Sequence, residues 1–177
     1  MRGRCSDLEQ EHAICDYEGT SYRARFWEGQ GREYEDLAER IALRHLLPSQ
    51  GRRIVELGAS FGRLADLYRG YEQVILLDYA KSALREAQER LGRSERYIYV
   101  AADIYHLPLA AGACDTAVTV RVLHHLADIP GALVEIASAL ACSHVTRLTI
   151  AESRKTTSGP QSNAGNRSTG WLMSAMT

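Results

Sequence analysis

The segment Gln73-Val-Ile-Leu-Leu-Asp78 is apolar at consecutive positions rather than at alternate ones. That is the pattern of a strand buried on both faces, as in a parallel sheet covered by helices. Comparable short runs recur at Arg53–Leu57, Tyr97–Ala101 and Asp115–Val120, with a possible fifth at Val145–Ala151. Between them lie stretches of helical character: Gly62–Arg69, Ser82–Leu91 closed by Gly92, and Pro130–Leu140 with Pro130 near its first turn. An earlier helix is expected from Glu33 to Leu47, where Tyr34, Leu37, Ala38, Ile41, Ala42 and Leu46 keep three-and-four spacing until Pro48-Ser49-Gln50-Gly51 ends it. Strand and helix alternating through short connections predict parallel βαβ units in a doubly wound, Rossmann-like α/β fold.

The chain has 177 residues, 45% hydrophobic and 24% charged, which is enough apolar material for the core of one domain. Its net charge of −1 gives no basic excess of the kind that nucleic-acid binding needs, so no nucleic-acid partner is expected. No run approaches the roughly 20 apolar residues of a membrane span, and the N-terminus turns acidic at Asp7 before any apolar stretch. The expected setting is therefore the cytoplasm, with no membrane partner. Cys5, His12 and Cys15 match no standard zinc spacing, no metal site is expected, and Cys114 reads as a buried thiol. Residues 1–32 form an arm or cover with the aromatic residues Tyr17, Tyr22, Phe26 and Trp27, residues 33–151 the main domain, and residues 152–177 a tail.

Chemistry concentrates where the expected strands end, the place where ligands bind on open α/β sheets. The first such place is Val55-Glu56-Leu57-Gly58-Ala59-Ser60-Phe61-Gly62-Arg63. Small residues there let a ligand approach the backbone, and a helix start would offer free N–H groups. A dinucleotide fingerprint needs glycine at positions 60 and 63, where this chain has Ser60 and Arg63, so a nicotinamide or flavin oxidoreductase is disfavoured. The others are Asp78 in Leu76-Leu77-Asp78-Tyr79-Ala80, Asp103 in Ala102-Asp103-Ile104 ahead of Leu107-Pro108-Leu109, and Val120-Arg121-Val122-Leu123-His124-His125-Leu126. Each alone also has a plain reading: a tight turn, an N-capping acid, a loop aspartate, a packed histidine.

In this order and spacing, the four segments resemble class I S-adenosylmethionine-dependent methyltransferases of the type 11 kind, over roughly residues 53–140. The family's first motif is Glu/Asp-x-Gly-x-Gly-x-Gly, from which Ser60 departs at the middle glycine. The resemblance implies S-adenosyl-L-methionine as cofactor, held by Glu56, Gly58, Ala59, Ser60, Gly62, Asp78, Tyr79, Asp103, Ile104 and Arg121. Asp78 would accept from the ribose hydroxyls, Tyr79 would pack on adenine, Asp103 would accept from the adenine amine, and Glu56 would orient the methionine end. His124 and His125 are weak candidates for a catalytic role. The implied partner is a small-molecule methyl acceptor, and the rival to an active enzyme is a non-catalytic cofactor-binding remnant.

The same resemblance leads us to expect Pro-Gly-Gly after the third crossover helix, then a fifth strand and an antiparallel hairpin. Ala141-Cys142-Ser143-His144 stands there instead, and residues 153–170 are rich in Ser, Thr, Gly and Asn. Trp171, Leu172, Met173 and Met176 lie isolated beyond them. The expectation is a sheet with an incomplete C-terminal half, a chain truncated or altered after about residue 140, and disorder across 152–177.

Overall fold

A computed structural model describes residues 17–140, 147–154 and 170–176 of the chain. Six strands form one sheet: β1 Gly51–Leu57, β2 Tyr71–Asp78, β3 Tyr97–Ala101, β4 Thr116–Val120, β5 Arg147–Arg154 and β6 Gly170–Met176. Their order is β3-β2-β1-β4-β5-β6. The first five run parallel and β6 pairs antiparallel with β5, Leu148 opposite Met176 and Arg154 opposite Gly170. The helices are α1 Tyr22–Phe26, α2 Glu33–Leu46, α3 Lys81–Leu91 and α4 Ile129–Ala139.

The apolar runs put side chains on both faces of the sheet. Ile54, Val74, Leu76 and Val118 join Leu43 of α2 and Leu84 and Ala87 of α3 in one core. Val55, Leu57, Ile75, Leu77 and Ala117 join Ile136 of α4 in the other. Cys114 is fully buried in that second core, and burial pushes its thiol up to about 11, so it stays un-ionised and inert near neutral pH. The N-terminus of α4 is capped by Asp128, whose carboxylate accepts from the Gly131 N–H at 3.0 Å, with Pro130 in the first turn.

Three sequence expectations need correction. The segment Gly62–Arg69 is not an α-helix; it runs through turns into a 3₁₀ turn at Ala65–Tyr68. Only residues 58–70 separate β1 from β2, close to the minimum of roughly a dozen for a parallel crossover, and the tighter i→i+3 turns fit that length. Helix α2 forms where its spacing predicts, but its apolar stripe faces outward. Tyr34 is 73% exposed, Leu37 53% and Ile41 46%, whereas Glu39 and Leu43 are fully buried. The third concerns residues 152–177. Residues 152–154 continue β5 and 170–176 form β6, so strand pairing extends to Met176; residues 155–169 and the Cys5, His12 and Cys15 set lie outside the described residues. Among the described residues no helix is long and apolar enough to cross a membrane, and no group of three or more His, Cys, Asp or Glu could hold a metal ion.

Candidate functional site

The strand order reverses between β1 and β4, and at that point the loops leaving the two strands diverge and open a cleft at their carboxyl ends. The cleft has two lobes. The larger, about 930 Å³ with its open mouth counted in, is walled by Asp78, Tyr79, Asp103, Ile104, Tyr105 and His125, among others. The smaller, about 330 Å³, is walled by Glu56, Ala59, Arg63, Trp27 and Phe61. Tyr22, Gly58, Ser60, Val120 and Arg121 line both lobes and mark where they meet.

The loop between the lobes is held in an unusual backbone path. Gly58, Ser60 and Gly62 have φ of 75°, 48° and 68°. A Cβ on Gly58 would lie 2.3 Å from Val122 Cγ2, so a side chain here is strained by its backbone and must displace Val122. Ser60 occupies left-handed backbone that costs an L-residue roughly 1–2 kcal/mol, and the Asp78 carboxylate offsets part of that by accepting from the Ser60 N–H at 2.7 Å. Ser60→Gly should therefore fold and raise the melting temperature by roughly 2–4 °C, the shift that about 1 kcal/mol gives in a domain of this size. Thermal unfolding followed by circular dichroism checks this; a lower melting temperature would show that the serine side chain contributes more than its backbone strain costs.

Asp78 also accepts from the Ala80 N–H at 2.9 Å, which ties the end of β2 to the start of α3. Burial pushes its carboxyl above the usual carboxylate range, and the backbone donors Ala80, Ser60 and Tyr79 pull it only part of the way back. A carboxylate has about four acceptor directions, so these bonds leave capacity for ligand hydroxyls. Asp103 accepts from the Tyr105 N–H at 3.0 Å, which sets the loop after β3 with its carboxyl at the cleft.

Glu56 is the most perturbed acid at the site. It lies on the core face of β1 beside Tyr68, is 3% exposed, and its Oε2 has no hydrogen-bond partner. Burial pushes it up from 4.5 to about 8, while the Tyr68 hydroxyl and the Arg63 and Arg90 guanidinium groups pull down and Asp78 pushes further up. The free protein thus holds a protonated, unsatisfied carboxyl at the wall of the smaller lobe.

The described part of the N-terminal arm, residues 17–32, lines the cleft through Tyr17, Tyr22 and Trp27 and is tied on two sides. Toward α3, the Gly19 N–H donates to Ser82 Oγ at 2.9 Å, Glu18 accepts from the Ser82 N–H at 3.2 Å, and Arg23 pairs with Glu86 at 3.3 Å. Toward α2, the Trp27 ring meets the guanidinium of Arg63 at 3.7 Å, of Arg32 at 4.7 Å and of Arg121 at 5.5 Å. Arg63 donates to Asp36 and Glu39, and Arg121 donates to Glu39 and, at 3.0 Å, to Glu35.

Of the residues singled out by sequence, Glu56, Gly58, Ala59, Ser60, Asp78, Tyr79, Asp103, Ile104, Arg121 and His125 converge on the cleft. Gly62 does not line it: Leu76 and Leu91 cover the place where a side chain would begin. His124 stands behind His125, ring centroids 3.8 Å apart, and His125 meets Tyr17 edge-on at 5.8 Å. The guanidinium of Arg121 pairs with Glu35 and Glu39 of α2, at a residue whose backbone has φ of 60°. Sequence reasoning missed Arg63 and Glu39. The available signal was Arg63 itself, a long cation where a glycine would close a dinucleotide turn.

Comparison with known proteins agrees with this geometry. Residues 55–142 match the methyltransferase domain family. Over 93 residues the chain is 33% identical to malonyl-[acyl-carrier protein] O-methyltransferase of Geobacter sulfurreducens, covering 50% of this chain and 34% of that protein. An S-adenosylmethionine-dependent methyltransferase of Mesorhizobium loti superposes with a TM-score of 0.59 at 28% identity, over 66% of this chain and 53% of that one. Phosphoethanolamine N-methyltransferase 1 of Haemonchus contortus, solved with phosphoethanolamine and S-adenosylhomocysteine, shares the fold with a TM-score of 0.61 at 21% identity, over 76% of this chain and 31% of that one. The chain spans about a third of the length of the curated relative and about half of the Mesorhizobium protein. With the sheet order, the cleft at its switch point and these likenesses together, the chain belongs to the class I S-adenosylmethionine-dependent methyltransferases.

Proposed function

We propose that the cleft binds S-adenosyl-L-methionine and that the protein transfers its methyl group to a small-molecule acceptor. The observation that carries this reading is the convergence of three carboxyl groups from three strand ends, Glu56, Asp78 and Asp103, on one two-lobed cleft. The donor set fits the cofactor. Asp78 walls the larger lobe with acceptor capacity left for a ribose hydroxyl, and Asp103 with the backbone of Ile104 faces the place for adenine, against Tyr79. Gly58 lines both lobes with backbone alone, which lets a ligand approach the main chain there. The orphaned carboxyl of Glu56 is matched to an ammonium group, with Ala59 and Ser60 lining the same lobe.

Bound there, the cofactor would supply an electrophilic methyl on a sulfonium, so the protein's own task is placement and exclusion of water. The arm does the excluding, with Tyr17 and Tyr22 over the larger lobe. His125, the histidine that lines the cleft, is the residue placed to take a proton from an acceptor that needs to lose one. Arg121 contributes to the wall where the lobes meet. The acceptor would enter beside the arm.

Calorimetric titration tests the cofactor assignment. S-adenosylhomocysteine should bind and NAD should not. Asp78→Ala should weaken S-adenosylhomocysteine by about 1.5–3 kcal/mol, since hydrogen bonds to a charged acceptor are lost. An unchanged affinity in that variant would remove Asp78 from the site. Transfer of labelled methyl to a panel of small-molecule acceptors tests the enzyme against a binding-only remnant.

A further inference from the structure

We infer that Glu39, a helix residue outside every cofactor motif, is a positioning residue that sets Arg63 and Arg121 against the amino-acid end of the bound cofactor. The inference rests on the cofactor reading above and deepens it. Glu39 is fully buried on α2, on the side away from the exposed Tyr34, Leu37 and Ile41. One carboxylate oxygen accepts from the Arg63 side chain and the other from Arg121. These two arginines come from different strand ends, after β1 and after β4, and both wall the smaller lobe. A bridging carboxylate with one guanidinium on each oxygen fixes the separation and tilt of both.

The outer partners make the bridge two-sided. Arg63 is held from behind by Asp36, and Arg121 by Glu35 at 3.0 Å. Trp27 lies against Arg63 and closes the lobe from the arm side. The lobe therefore offers one buried acid, Glu56, and two arginines at fixed positions. That pattern suits a zwitterion: an ammonium toward Glu56 and a carboxylate toward the arginines. Arg63 lines only this lobe and Arg121 lines both, so Glu39 should act chiefly on the amino-acid end of the cofactor.

The test compares two ligands on the whole chain by calorimetry. S-adenosylhomocysteine carries the amino-acid end, and 5′-methylthioadenosine is the same nucleoside thioether without it. Glu39→Gln keeps the shape but puts an amide N–H toward a guanidinium. It should weaken S-adenosylhomocysteine roughly tenfold, the loss expected when one charge-assisted bond is misaligned, and leave 5′-methylthioadenosine within about twofold. Glu39→Asp, which keeps the charge but is too short to bridge both arginines, should give a smaller loss with the same selectivity. Equal weakening of both ligands would make Glu39 a residue of the fold alone and overturn the inference, as would failure of both variants to fold. No change in either ligand would overturn it too. If the unaltered protein binds 5′-methylthioadenosine but not S-adenosylhomocysteine, the zwitterion lobe falls while the nucleoside lobe stands; if it binds neither, the cofactor reading itself falls and takes this role with it.

Discussion

Gly58→Val should cost the fold roughly 3–5 kcal/mol and abolish cofactor binding. Two separate penalties add. The backbone at Gly58 has φ of 75°, a region that costs an L-residue roughly 1–2 kcal/mol and a β-branched one more. The new Cβ would also stand 2.3 Å from Val122 Cγ2, an overlap of the kind that costs a packed core about 1–3 kcal/mol. The two penalties are separable. In a Val122→Ala background the steric part of Gly58→Ala should shrink, while the backbone part remains. Urea unfolding of the four variants measures both, and titration with S-adenosylhomocysteine reads the site. A Gly58→Val protein with ordinary stability would show that the loop relaxes freely; one that also binds cofactor normally would show that this loop does not hold it.

The site was far more legible in the sequence than its surroundings were. Gly58, Asp78, Asp103 and Arg121 each lie at or within two residues of the carboxyl end of a strand, and in a parallel sheet every such position falls on the same edge. Local patterns suffice to find them because the topology does the gathering. Glu39, Arg63 and Trp27 are gathered differently. They meet through α2 and the arm, and only tertiary packing decides which side of α2 faces inward. The stripe Tyr34, Leu37 and Ile41 argues for one side, yet the helix buries Glu39, because two arginines from the sheet satisfy that carboxylate. The periodicity identified the helix but misplaced its buried face.

The first crossover and the last strand show two other limits. Gly62–Arg69 has a composition compatible with a helix, but the distance available between β1 and β2 selects tighter turns. In Gly170–Met176 the apolar residues Trp171, Leu172 and Met173 are consecutive and followed by Ser174, which matches neither a buried nor a half-buried strand pattern. What identifies β6 is its pairing with β5, a non-local fact. Position 60 is a third kind of case. The sequence marked Ser60 as a departure, and the structure shows its physical content, a serine at φ of 48° tied by its own N–H to Asp78.

Between about pH 5 and pH 8 the cofactor-free protein should lose stability on the order of 4 kcal/mol through Glu56 alone. The direction follows from linkage. Burial raises this carboxyl from 4.5 to about 8, so across that interval the folded chain holds a proton that the unfolded chain has released. Stability is full below the unfolded value, falls as pH rises toward the folded value, and levels off above it. Each pH step costs about 1.4 kcal/mol, and relaxation around the buried group reduces the total. Glu56→Gln removes the titration, so its unfolding free energy should be flatter over the same range. The same proton then links to the cofactor. An ammonium placed at the unpartnered Oε2 favours the ionised acid, so binding between about pH 6 and pH 8 should expel a proton and strengthen with rising pH. Calorimetry of S-adenosylhomocysteine binding in two buffers of different ionisation enthalpy counts that proton: close to one released per cofactor in the original protein and none from this group in Glu56→Gln. If the two proteins release equal numbers, Glu56 does not meet the ammonium, and the amino-acid end of the cofactor lies elsewhere in the cleft.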